Sequence, residues 1–265
     1  MDKNKELQEF TQNVYNNIDL FFIHYVKSFE SPNNICLSYN EENCLSFYLI
    51  KDKESDLFHV DLDYIQKCLY SGSSSLEKLE CLLKFTSSKI VYVKLYDASV
   101  ITWKVFISDM NKEVEIKLSL QSLYILSKGM SWYNSLGYFE NNYKENKDRY
   151  HYFGNMSMKD YLNFMLTTTQ EPFKNFLYSQ TNIIKEYSKA MISSLLSLYV
   201  PMIEELCDLN HSVNGLCCLI HTHIKSSDLL SFTQKEVNTY LAVLDLCEMY
   251  IVDKRKENLI LYKYL

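Results

Sequence analysis

The stretch YSGSSSLEKLECLLKFTSSKIVYVKLYD, residues 70–97, decides the class of the fold. Tyr70 to Ser75 is a Gly/Ser turn, and behind it Leu76, Leu79, Leu82 and Leu83 fall on one helical face through Phe85. Ser73, Ser74 or Ser75 is a suitable cap for that helix, and Glu77 or Glu80 suits its first turn. Lys89–Asp97 then reads as a β-branched and aromatic strand. A further strand, Leu57–Tyr64, precedes the turn. Strand, turn, helix and strand make a βαβ unit, which implies a parallel pair with a right-handed crossover.

Working outward, residues 5–28 carry Leu7, Phe10, Val14, Ile18, Phe21, Phe22 and Tyr25 at helical spacing, and Pro32 ends that element. Ile35–Ser38 and Cys44–Ile50 read as strands, with Lys51–Asp56 as the hairpin connection to Leu57–Tyr64. Val100–Ile107 is another strand, followed by a helical pattern through Leu118, Leu120, Leu123 and Ile125. Glu140–Asp148 is a polar connection. Beyond it the apolar periodicity is helical over Tyr161–Leu166, Pro172–Tyr187, Ala190–Cys207, Leu216–Ile224 and Thr233–Tyr250. Met249–Asp253 and Leu259–Leu265 are expected to close a β-hairpin. The division expected is an α/β domain over 1–148 and a mostly α-helical domain over 149–265.

Composition narrows the function classes. The chain has 265 residues, 47% hydrophobic and 14% aromatic, enough for a sizeable core. A net charge of −6 argues against a general nucleic-acid binder, so no sequence-specific nucleic acid is expected. No uncharged apolar run approaches the ~20 residues of a membrane helix, so no membrane association is expected either. Eight scattered cysteines do not have the spacing of a disulfide scaffold, and the first residues are unlike a signal peptide. Buried, reduced thiols in a soluble cytoplasmic protein are the expectation. Scarce Gly and Pro beside abundant Asn, Lys, Tyr, Ser and Ile are the bias that an AT-rich genome imposes through its codons.

Residues 127–139, SKGMSWYNSLGYF, hold two of the five glycines and one of the two tryptophans. A short helix beginning near Ser131 and stopped by Gly137 in the left-handed conformation accounts for part of this, with Gly129 starting it. Trp132, Tyr133, Leu136, Gly137 and Tyr138 also resemble the "Phe-Tyr-x-x-x-Gly-Phe" segment of the GCN5-related N-acetyltransferase (GNAT) superfamily. The family's other signature is a strand, a loop and a helix whose N-terminus holds the coenzyme A pyrophosphate. Leu57–Tyr64, Gln66–Ser75, Leu76–Phe85 and Ile90–Leu95 follow that order, and the resemblance spans about residues 35–140.

The resemblance implies a GNAT-like mixed sheet with flanking helices and the binding of acetyl-CoA or another acyl-CoA. It implies acyl transfer to an amine substrate. Gln66, Ser71, Gly72, Ser73 and Ser74 would then hold the coenzyme, since free N–H groups at a helix start bind phosphate without basic side chains. Tyr133 matches the tyrosine that protonates the departing thiolate. For the base, His59, Asp61 and Asp63 alternate along one strand and so share one face. The competing expectation is a non-enzymatic interaction or scaffold protein that keeps the fold and binds a protein partner. Cys207, His211, Cys217, Cys218, His221 and His223 contain helical Cys/His spacings, yet no Cys-x2-Cys pair, and no metal site is assigned to them.

Overall fold

The computed structural model describes residues 3–52, 55, 57–97, 100–141, 143–168, 189–226, 228–251 and 259–265. It is a mixed α/β protein. Eight α-helices and nine strands are described, in two compact units. The first unit comprises Met1–Asp97, Leu136–Asn141 and Asn258–Leu265, the second Ala98–Ser135 and Asn142–Glu257. The contacts thus group Ala98–Ser135 with the C-terminal helices, where the sequence pattern suggests one division near residue 148.

The first unit is built on α1 (Lys3–Asn17), β1 (Val26–Ser31), β2 (Asn34–Tyr39), β3 (Glu42–Lys51), β4 (Phe58–Ile65), α2 (Gly72–Thr86), β5 (Ile90–Asp97) and β9 (Leu259–Tyr264). The sheet order is β1-β2-β3-β4-β5-β9. All neighbours are antiparallel except β4 and β5, which are parallel and joined through α2 as the βαβ reading requires.

One face of this sheet carries the core. Leu37, Phe47, Leu49, Val60, Leu62, Val93 and Leu95 are buried there with Leu76, Leu79, Leu82 and Leu83 of α2. Phe10 of α1 stacks on Phe58 at 4.2 Å, which puts α1 on the same face. Eleven such buried side chains removed from water, at roughly 1.5–3 kcal/mol each before entropy is charged, dominate the stability of the unit.

The second unit contains the antiparallel pair β6 (Val100–Ile107) and β7 (Lys112–Ser119), with β8 (Leu230–Phe232) parallel to β6. Its helices are α3 (Leu120–Lys128), α4 (Tyr143–Gly154), α5 (Met158–Thr168), α6 (Lys189–Leu206), α7 (Val213–Lys225) and α8 (Gln234–Ile251). Trp103, Leu123, Tyr161, Val213, Ile220 and Leu246 meet in its core.

Several local expectations are corrected. The first helix stops at Asn17 and a 3-10 turn, and Val26–Ser31 is an edge strand; three asparagines weaken the helix end while Phe22 and Tyr25 bury from the turn. Lys112–Ser119 is strand, not helix. Val114, Ile116 and Leu118 alternate on it, and Asn111 (φ 49°) supplies the left-handed turn residue before it. Part of the polar connection at 140–148 belongs to α4, which buries Tyr150 and Phe153. β9 pairs with β5, and Met249–Ile251 end α8, so the C-terminal hairpin is replaced by an edge strand returning to the first sheet. Pro172–Tyr187 lies outside the described residues.

The two glycines of 127–139 close different elements. Gly129 (φ 74°) terminates α3 instead of starting the next turn. Gly137 (φ 88°) follows a 3-10 helix, Tyr133–Leu136, and leads Phe139 into a bridge with Tyr262. Ser131 does act as the cap: its hydroxyl accepts from Asn134 N at 3.2 Å, and Asn134 Oδ1 accepts from Ser131 N at 2.8 Å.

Cys44 and Cys68 form a disulfide, a correction to the expectation of reduced thiols throughout; six cysteines are free.

Candidate functional site

The site is organised by β4 and β5. Their pairing runs Phe58↔Ile90, His59↔Tyr92, Val60↔Val93, Asp61↔Lys94 and Leu62↔Leu95, and stops there although β4 continues to Ile65 and β5 to Asp97. Beyond Leu62 and Leu95 each strand keeps only its other neighbour: Tyr64 and Ile65 pair with β3, Tyr96 and Asp97 with β9. The β3 register also skips Asp63, leaving a bulge that bends β4 at this point. The carboxyl ends of the two parallel strands therefore part. This is where open α/β sheets characteristically place ligands.

α2 follows β4 through the loop Gln66–Ser71. Ser71 is its N-cap, not Ser73, Ser74 or Ser75 as the pattern suggested: the Ser71 hydroxyl accepts from Ser74 N at 3.3 Å, and Ser71 O from Ser75 N at 2.9 Å. The amides of Gly72 and Ser73 have no bonding partner among the described residues, and the Ser71 and Ser73 hydroxyls lie 3.1 Å apart. Gln66 is differently placed. Its Nε2 donates to Asn43 O at 2.7 Å and its Oε1 accepts from the Tyr64 hydroxyl, so the side chain is committed to the sheet.

His59 and Asp61 do come together on the face opposite the helices. His59 Nε2 lies 3.5 Å from Asp61 Oδ1, just beyond hydrogen-bond geometry, and that oxygen is buried without a hydrogen-bond partner. Lys94 donates to Asp61 Oδ2 at 3.1 Å. The His59 ring stacks on Tyr92 at 4.8 Å, and Tyr92 meets Tyr262 and Tyr264 edge-on.

Burial lowers the His59 pKa, with Lys94 adding to the effect and Asp61 opposing it, so the imidazole is neutral at neutral pH. Burial works against the Lys94 ammonium too, but its bonds to Tyr96 and Asp61 outweigh this and raise its pKa. Burial raises Tyr92, helped by the Asp61 charge and Tyr262. Asp63 sits exposed at the bulge, with no bond to the other two among the described residues.

Tyr133 belongs to the second unit. It is 5% exposed, in the 3-10 turn, with its ring 4.8 Å from that of Trp132. In the same unit the Cys/His run disperses: His221 Nδ1 lies 2.7 Å from Ser127 Oγ, Cys217 lies against Cys247, and His211 approaches Asp208 at 3.5 Å. No group of three potential metal ligands is found among the described residues.

Sequence reasoning missed Tyr92 and Lys94. Their alternation with Tyr96 along β5 was a usable signal, because pairing β5 with β4 puts that stripe opposite His59 and Asp61. No family model matches the chain, and no curated protein matches it.

Proposed function

We propose that the chain transfers an acyl group from acyl-coenzyme A to an amine, in a domain similar to the GNAT acetyltransferases. The observation that carries this reading is the β4–β5 pair: parallel, joined through a capped helix, and parting after Leu62 and Leu95. A parting of this kind is where the resemblance puts the thioester.

The coenzyme supplies an activated acyl group as a thioester. Phosphate oxygens suit the unpaired amides of Gly72 and Ser73 and the hydroxyls of Ser71 and Ser73. The Ser74 amide is already used by the cap, and Gln66 does not fit the role because its amide is held by Asn43 and Tyr64.

Of the three base candidates, His59 is the best one. It is neutral, with Asp61 beside Nε2 to orient the ring, which leaves Nδ1 as the basic nitrogen. Asp61 is partly neutralised by Lys94 and acts as the orienting group.

Binding of acetyl-coenzyme A at 100 times Kd should stabilise the protein by about 2.7 kcal/mol, read as a rise in melting temperature. His59→Gln should then lower transfer on the order of 10²-fold while leaving coenzyme affinity unchanged. Protein that neither binds nor turns over any acyl-coenzyme A sinks the proposal.

The face of the six-stranded sheet opposite α1 and α2 favours a second reading. Tyr96 and Tyr264 are 42% and 74% exposed there, a surface suited to a protein partner of a non-enzymatic interaction protein. Capture of a partner abolished by Tyr264→Ala, with no coenzyme binding, would select it.

A further inference from the structure

The loop Gln66–Ser71 is tied down at three places. Gln66 N donates to Cys44 O at 2.9 Å and Gln66 Nε2 to Asn43 O at 2.7 Å. Cys68 is bonded to Cys44, 24 residues earlier in β3. The Tyr70 ring stacks on Tyr25 with centroids 5.6 Å apart, its amide reaches the Tyr25 hydroxyl at 3.4 Å, and the Lys78 ammonium lies 4.4 Å from its centroid. The first and last ties are hydrogen bonds and ring contacts that do not depend on the redox state. The middle one is covalent and chemically reversible.

We propose that Cys44–Cys68 is a redox device that sets the order of the first turn of α2. Oxidised, it holds the loop so that the Ser71 cap and the Gly72 and Ser73 amides are presented in one arrangement. Reduced, it releases Lys67–Leu69 and loosens that turn.

Three observations support the device. The bridge is single in a chain whose other six cysteines are free, among them the exposed Cys81, so oxidation is not the general means of holding this fold. The two sulfurs differ in access, since Cys44 is 2% exposed and Cys68 half-buried, which directs an incoming thiolate to Cys68. Both freed groups also have partners waiting. Cys44 Sγ lies 3.2 Å from Glu42 O, an acceptor for a thiol, and Gln66 Nε2 lies 3.7 Å from Cys68 Sγ, a donor for a thiolate.

The chemistry needs a dithiol as reductant. One of its thiolates attacks Cys68 Sγ, the bond to Cys44 breaks, and Cys44 leaves as a thiolate that takes a proton. The second thiol of the reductant then attacks the mixed disulfide and frees Cys68. Two electrons and two protons pass to the protein, and the reductant leaves as its own disulfide.

The effect on the coenzyme rests on the acyltransferase reading; the loop chemistry does not. The test therefore has two readouts on the full chain: amide hydrogen exchange over Lys67–Ser75, and affinity for acetyl-coenzyme A, which carries no free thiol. Dithiothreitol should speed exchange of the bonded Tyr70, Ser74 and Ser75 amides at least tenfold while Leu79–Leu83 is unchanged, and reoxidation should reverse it. Cys68→Ser should reproduce the reduced pattern without reductant. Acetyl-coenzyme A affinity should fall severalfold with reduction.

Unchanged exchange on reduction would overturn the device, because the Gln66 and Tyr70 ties would then suffice. So would a bridge that dithiothreitol opens only when the protein unfolds. A loop that responds while acetyl-coenzyme A binds in neither state would support the device and count against the acyltransferase reading.

Discussion

Replacing Lys263 by methionine should loosen β9 from the six-stranded sheet by about 2–3 kcal/mol. Lys263 Nζ donates to Glu80 Oε1 and to Leu136 O, each at 2.9 Å, and lies 2.8 Å from Glu80 Oε2 as an ion pair. Tyr138 donates to the same Glu80 Oε1 at 2.8 Å. The side chains of Lys263 and Glu80 are 27% and 11% exposed. Removing one partner of a buried pair costs about 3–5 kcal/mol, and the residual access of water to Lys263 brings the expectation to the lower figure. Methionine retains the aliphatic stem, so lost packing is a minor part.

A chain of two units does not unfold in one step, so the assay should be local. Phe139 N and Tyr262 N each donate to the other's carbonyl at 2.9 Å, and their exchange should accelerate roughly 30- to 150-fold. Adding Glu80→Leu should recover only part of the loss, because an apolar pair replaces a broken ionic one while the Tyr138 hydroxyl gives up its bond to Glu80. Acceleration below threefold in Lys263→Met would refute the argument.

Gly137→Val should cost about 1–2 kcal/mol, since φ is +88° and a Cβ would meet Lys263 Cε at 3.4 Å; an unchanged melting curve would show that this backbone tolerates a β-branched residue. Ser131→Ala should lose about 1 kcal/mol of capping at a fully buried position, measured by urea unfolding. For His221, burial, reinforced by Lys225 and Lys128, lowers the pKa to about 4 from 6.5. The folded state disfavours its proton, so this stability is fully present above about pH 6.5. It is lost as pH falls towards 4, by up to about 3 kcal/mol. His221→Asn keeps a donor for Ser127 and should flatten the slope; equal slopes in wild type and variant would remove His221 as its cause.

Elements whose side chains bury on one repeating face were legible in the sequence. α2 shows Leu76, Leu79, Leu82 and Leu83, and all four are buried. β1 was not legible, because an edge strand with four of six residues exposed has little alternation to read. β7 was misread for a different reason: Leu118 ends a period-2 stripe and Leu120 begins a helical one, with only Ser119 between them, capping α3. The partner of β9 could not be read either. A strand 162 positions from its neighbour in sequence leaves no local trace, and pairing Tyr264 with Tyr92 depends on contacts across the whole unit.

The candidate site was half legible for a related reason. His59 and Asp61 lie two apart on one strand, and that spacing alone puts them on one face. What they meet depends on register. Phe58 pairs with Ile90 and His59 with Tyr92, so Val91 is an extra residue in β5. Were Val91 paired in regular register, His59 would face it and Asp61 would face Val93, and the Lys94 ammonium would turn towards the core. A second irregularity, at Asp63, ends the alternation and parts the strands. The ion pair of Asp61 with Lys94 and the opening beyond Leu62 thus both follow from single extra residues in otherwise regular strands. Deleting Val91 should remove the bulge while keeping His59 opposite Tyr92 and Asp61 opposite Lys94; loss of the Asp61–Lys94 pair in that variant would show that the extra residue does not account for the register.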